Sequence, residues 1–150
     1  MDQSLYPIKR NGKKLEFRFW SKTSSGDNRV LKVVTYGRTI KYSKPYFNLE
    51  FGDYDDEDKI VHDLVVTNNG DMRKILRTVI STLDTFFREL PGEKVHVDGS
   101  NRVRRAYYHK IVRDYYRIIS EHYKVQGCID RRIEPFRANV EYEFLIISLK

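Results

Sequence analysis

Apolar and polar positions alternate along the first third of the chain, and a longer period then takes over. Leu15, Phe17 and Phe19 alternate with Glu16, Arg18 and Trp20, the period of a strand with one buried face. After a loop over residues 21–28, residues 30–36 are β-branched and strand-like. Beyond a turn over 37–45, Phe47, Leu49 and Phe51 alternate again. These segments predict an antiparallel meander with short connections. Residues 64–66, Leu-Val-Val, predict a short fourth strand, which Asn68-Asn69-Gly70 breaks. Met72, Ile75, Leu76, Val79, Ile80, Leu83, Phe86, Phe87 and Leu90 then recur at three- and four-residue intervals. That is one broad face of a helix, which Pro91-Gly92 ends. A strand over 94–97 follows, then a second helix over 101–121 with Val103, Tyr107, Ile111, Tyr115 and Ile118 on one face. A strand over 123–129, an irregular connection over 130–139 and an apolar strand over 140–149 close the chain. The fold class is α+β: a meander of three to four strands, helix, strand, helix, then two further strands, with helices on the sheet.

Composition narrows this picture. A hydrophobic fraction of 40% with 13% aromatics supports a packed core despite 33% charged residues, and 150 residues suit a single domain. Residues 1–14 form an N-terminal arm that Tyr6-Pro7-Ile8 can pin. No stretch approaches the ~18–20 apolar residues of a membrane span. Residues 1–8 lack the apolar core of a signal peptide, so a cytoplasmic protein is the expectation, with no membrane association. Cys128 is the lone cysteine, and the four histidines show no ligand spacing, so no metal is expected. Asp53, Asp55, Asp56, Glu57 and Asp58 do not match a calcium loop and read as a solvated loop before the fourth strand.

Charge changes the picture more. The net charge of +7 points to anionic partners, and ten Lys or Arg against four Asp or Glu lie between Ser100 and Arg137. Two strand–glycine–helix turns are candidate anion sites. At the first, the backbone amides from Gly70 to Arg73, flanked by Asn69 and Asp71, can hold a pyrophosphate at a helix start. Asp71 opposes an anion there, and no Gly-x-x-x-x-Gly-Lys pattern exists. At the second, Ser100 and Asn101 precede Arg102, Arg104 and Arg105, and His109 and Arg113 continue the stripe at helical spacing. Guanidinium groups there can bind phosphate or carboxylate bidentately. A solvated face whose arginine stems cover apolar surface is the alternative, and because cations at a helix start oppose the dipole, an anionic ligand stands level with it. The interleaved tyrosines suit core packing, or stacking on bases of a single strand. His96, Asp98 and Ser100 are close in sequence, but the nucleophile-elbow pattern of a hydrolase is absent.

Phe51-Gly52-Asp53-Tyr54-Asp55, residues 63–71 with Thr78-Val79, and Gly99-Ser100 followed by Arg104 and Tyr108 together resemble a family of small bacterial proteins of this length. That resemblance brings no established activity. More distantly, the order of elements resembles the GNAT acyltransferase fold. The resemblance implies that Asn69, Gly70 and Asp71 sit at a pyrophosphate turn for acetyl-CoA or another acyl-CoA. It implies that Asn101 and Tyr108, seven residues apart, match that family's asparagine and tyrosine, with Tyr108 protonating the leaving thiolate. This chain departs from the family in having one glycine and an acid at the turn, and only residues 21–28 where helices normally sit. The expected function is binding of a phosphate-bearing, acyl-CoA-type ligand at the helix starts, by a weak or degenerate acyltransferase. A non-enzymatic module for nucleic acid or an acidic protein is the alternative, as is a toxin-like acyltransferase acting on RNA-borne amino groups. Whether the protein is an enzyme stays open.

Overall fold

The alternation over residues 15–51 becomes three long strands. A computed structural model describes residues 5–22, 29–55, 60–63, 72–98 and 102–150. A two-residue strand, β1 (Lys9–Arg10), precedes β2 (Glu16–Lys22), β3 (Arg29–Lys41), β4 (Lys44–Asp55) and β5 (Ile60–Asp63). Then come α1 (Met72–Glu89), β6 (Val95–Val97), α2 (Arg102–Asp114), α3 (Tyr116–Ser120), β7 (Tyr123–Ile129), β8 (Arg132–Pro135) and β9 (Phe144–Leu149). The architecture is α+β. The chain divides into two compact units, Met1–Tyr36 with Glu50–Arg88, and Gly37–Leu49 with Glu89–Lys150.

In the first unit β1, β2 and β3 pair antiparallel, and β5 pairs antiparallel with the end of β4. Phe17 and Phe19 face the core opposite Val34 and Lys32. The stripe on α1 is buried too, with Ile75, Leu83, Phe86 and Phe87 each at most 3% exposed, and Phe86 stacks 4.8 Å from Tyr36, which meets Phe17 edge-on. Two threonines interrupt that stripe, and their hydroxyls are satisfied as buried polar groups must be. Thr78 Oγ1 donates to the Lys74 carbonyl at 2.8 Å and accepts the Tyr6 N–H at 2.9 Å, which ties the N-terminal arm to the helix. Thr82 Oγ1 donates to the Val79 carbonyl and so accepts from the Tyr36 hydroxyl at 2.7 Å. Burial pushes the Tyr36 phenol well above its ordinary pKa, against the lowering effect of Thr82.

In the second unit the strand order is β4-β6-β9-β7-β8. β6 runs parallel to β4 through Phe47↔Val95 and Asn48↔His96, and the other pairings are antiparallel. The last strand of the chain is therefore inserted between β6 and β7. Phe144 to Ile147 are all buried, as a central strand covered on both faces requires. Gly127 is obligatory on β7, because a Cβ there would lie 2.3 Å from the Tyr142 ring. Among the described residues no helix is long and apolar enough to cross a membrane.

Several boundaries differ from those expected. The second helix breaks at Tyr115 (φ −116°, ψ 21°), giving α2 and α3. The break lets Ile119 reach the core while Tyr116 turns outward onto Phe136, the rings stacked at 5.4 Å. The irregular connection contains β8, whose Pro135 is tolerated because the strand lies at the sheet edge. β1 and β8 raise the strand count above the six or seven expected, being too short for a period of two to register. Asp53 and Asp55 lie within β4 rather than in a loop, and Asp53 forms an ion pair with the buried Lys32. The expected strand over 64–66 lies outside the described residues.

Candidate functional site

The basic stripe read from residues 102–113 becomes one wall of a cavity. With α2 helical, Arg102, Arg105, His109, Lys110 and Arg113 fall on neighbouring turns. They line a cavity of about 720 Å³ whose opposite side comes from residues 136 and 138–143. Phe136, Ala138 and Val140 supply apolar surface, backed by the buried Tyr142, whose ring lies 5.9 Å from that of Phe136. The lining residues carry four cations against two carboxylates, Glu141 and Glu143. Glu143 is already committed: it accepts the Tyr42 hydroxyl and the Asp130 N–H at 3.0 Å. Those bonds hold its carboxyl below the usual range, the Tyr42 hydroxyl most of all.

The cations are partly held in place. Arg105 Nε lies 3.5 Å from Asp98 Oδ1, and Lys110 donates to Asp114 at 2.8 Å. The first turn of α2 has no acidic residue, so nothing in that turn offsets the arginines at the positive end of the dipole. Arg102 is exposed.

His109 is fixed by both ring nitrogens. Nδ1 lies 2.8 Å from the Arg105 carbonyl, which can only accept, and Nε2 lies 3.0 Å from the Tyr142 N–H, which can only donate. The ring is therefore the neutral Nδ1–H tautomer, stacked 6.1 Å from Tyr142. Its part in the cavity is to join α2 to the segment before β9. The positive charge comes from the arginines and Lys110.

A second cavity of about 480 Å³ adjoins the first and shares Arg113, Phe136 and Ala138 with it. Tyr116 and Arg117 extend the surface there. A polar cluster lies on β6. His96 Nδ1 is 2.9 Å from Asn48 Oδ1, which leaves Nε2 as a lone-pair acceptor with no partner among the described residues. Asp98 Oδ1, two residues on, is buried without a hydrogen bond, its ion-pair contact being Arg105 Nε at 3.5 Å. Burial depresses the His96 pKa, with Asp98 opposing and Lys41 assisting. Its ring sits 4.5 Å from that of Phe144.

Of the residues singled out from the sequence, Arg102, Arg105, His109 and Arg113 come together around the larger cavity. Arg104 lies on α2, and Arg73 is exposed on α1. Tyr108 is half-buried, its ring 6.4 Å from that of Tyr107, and it is not among the residues lining this cavity. Asn69, Gly70, Asp71, Ser100 and Asn101 lie outside the described residues. Sequence reading passed over Lys110, which the same helical spacing could have supplied. It also passed over Phe136 and Tyr142, which carry no local signal. Among the described residues no three His, Cys, Asp or Glu converge as metal ligands.

The chain belongs to DUF6934, a family of unknown function whose model matches residues 2–150. No curated protein and no solved structure matches the chain.

Proposed function

We propose that this member of the family binds a phosphate-bearing ligand along α2, held by Arg102, Arg105, Lys110 and Arg113 and seated on Phe136. The observation that carries the reading is the pairing of a cationic helix face with an apolar, ring-bearing wall across about 720 Å³. That volume lies in the ordinary range for small-molecule sites, roughly 300–1,000 Å³. An acyl-CoA is the ligand class favoured first, because its adenosine end joins phosphates to a flat base. The GNAT-like reading of the fold draws support from the parallel pairing of β6 with β4, next to the meander. Transfer chemistry would rest on Tyr108 as the acid, so binding with weak or no transfer is the reading adopted. The natural setting of such a ligand is the cytoplasm.

Thermal shift with coenzyme A and acetyl-CoA tests this. A ligand that binds only the folded chain raises the melting temperature in proportion to RT ln(1 + [L]/Kd). The rise is expected with the wild type and should vanish in Arg105→Ala/Arg113→Ala. If neither cofactor shifts the melt, the acyl-CoA reading fails.

One observation favours a second reading, a single-stranded nucleic acid. The adjoining cavity, with Tyr116, Arg117 and Phe136, extends the cationic and aromatic surface beyond one small ligand. A polynucleotide would use both cavities, with rings stacking on bases and arginines tracking phosphates. Labelled oligonucleotides of increasing length should then bind with affinity that grows with length and falls with salt.

A further inference from the structure

Two hairpins of the second unit turn in an unusual way. Tyr42 and Ser43, between β3 and β4, have φ of 51° and 62°. Asp130 and Arg131, between β7 and β8, have φ of 52° and 62°. Two successive positive-φ residues make a two-residue hairpin turn that sequences normally build from Asn-Gly or Gly-Gly. Tyrosine and arginine are poorly suited to it, since a Cβ in this region crowds the following carbonyl. Such backbone persists where the surroundings over-determine it, and it concentrates at ligand clamps and active sites.

Both turns line the same cavity, of about 370 Å³. One carboxylate holds them: Glu143 accepts the Tyr42 hydroxyl from one turn and the Asp130 N–H from the other. The turns also aim cations. The Arg131 guanidinium lies 4.9 Å from the centroid of the Tyr42 ring, and Lys44 follows directly after the first turn. The floor is rigid, because Tyr46, Cys128 and Phe144 belong to a buried core cluster against which Ile133 packs. The lining residues include two cations, three aromatic rings and no carboxylate. A glycine in place of Tyr42 or Arg131 would relax the backbone and delete the ring or the guanidinium.

We propose that this cavity binds a small planar anion, an aromatic ring bearing a carboxylate or phosphate. The ring lies over the floor of Tyr46, Cys128 and Phe144, beside the exposed ring of Tyr42, and the anionic group meets Arg131 and Lys44 at the mouth. Glu143, behind the turns, is already engaged by the Tyr42 hydroxyl and the Asp130 N–H, so a cation would face Lys44 and Arg131 with no free counter-charge in the lining. Burial raises the pKa of the Cys128 thiol, so no thiolate on the floor repels the ligand. This site is separate from the α2 cavity and stands whether or not that one binds phosphate.

The test is an NMR titration of the full chain with three isosteric probes, benzoate, neutral benzamide and cationic benzamidine, and with phenyl phosphate as a second aryl anion. The aryl anions are expected to saturate shifts at Tyr46, Cys128 and Arg131. Benzamide should bind about tenfold more weakly through loss of the charge-assisted bonds, and benzamidine more weakly still. Arg131→Gln with Lys44→Gln, both surface changes, should reduce anion affinity at least about tenfold while the melting temperature holds. Arg105→Ala/Arg113→Ala should leave it unchanged. The proposal is overturned if no aryl anion gives saturable binding, if the three probes bind alike, or if the α2 variant and not the Arg131 variant removes binding.

Discussion

Lys32 is the residue whose environment is hardest to reconcile with its chemistry. Its side chain is 1% exposed, it sits opposite Phe19, and among the described residues its ion-pair partner is Asp53, 20% exposed. A buried ion pair adds little net stability, whereas removing one member strands the other. Asp53→Ala should therefore cost about 3 kcal/mol, while Lys32→Met/Asp53→Ala, which replaces the whole pair, should be near neutral or stabilising. Urea denaturation of the two variants decides it, and equal losses would mean that the pair is not the organising contact. His96 supplies a pH effect of definite sign. Burial holds its folded pKa below the ordinary value of about 6.5, and Asp98 only partly opposes this. As pH falls, the unfolded chain takes up the proton first. The stability His96 contributes is therefore complete above the unfolded value and is lost as pH drops through the folded one. Unfolding free energies between about pH 8 and pH 5 should decline, and His96→Phe should flatten that part of the slope. A wild-type curve unaltered by the substitution would remove His96 as the cause.

At the scale of elements, the same turns that frame the small cavity should limit stability. Ser43 adopts φ 62°, and glycine there removes the Cβ clash, so Ser43→Gly should stabilise the hairpin by about 1 kcal/mol. A destabilised variant would show that the Ser43 side chain contributes more than the backbone costs. These turns were only half legible. The turn expected over 37–45 shrinks to Tyr42-Ser43, because β3 runs on to Lys41 and β4 starts at Lys44, and Tyr-Ser carries no glycine or asparagine to announce positive φ. α1 was legible throughout, because eighteen residues of amphipathic spacing leave one solution. β9 was legible as a continuous apolar run, although only topology reveals its place between β6 and β7. The break at Tyr115 was not, since the apolar spacing on both sides reads through it. The arginine stripe of the candidate site followed from three- and four-residue spacing alone. Its opposite wall did not, because Tyr142 meets His109 across thirty-three residues of sequence. The tautomer of His109 depends on that long-range bond, so no local pattern could reveal that both its nitrogens are occupied.

For the whole molecule, a net charge of +7 guarantees some attraction to any polyanion, so affinity for nucleic acid alone says nothing about a site. What separates a groove from a charged surface is where the charge acts. For single strands, the logarithm of the binding constant falls with the logarithm of salt by about 0.7 per phosphate neutralised. If α2 tracks the phosphates, Arg105→Ala/Arg113→Ala should reduce that slope by roughly one to two and weaken binding uniformly across sequences. Arg29 and Arg38 form the control. They lie over Trp20 and Phe47 at 5.2 and 4.9 Å, and neither lines the α2 cavities. Arg29→Ala/Arg38→Ala removes the same two charges from the molecule, yet it should leave the slope within error of the wild type. Equal reductions in both variants would mean that the chain binds as a diffuse polycation. The α2 cavity would then have to be judged on its small-molecule ligands alone, with Phe136 and Tyr116 reduced to packing surface.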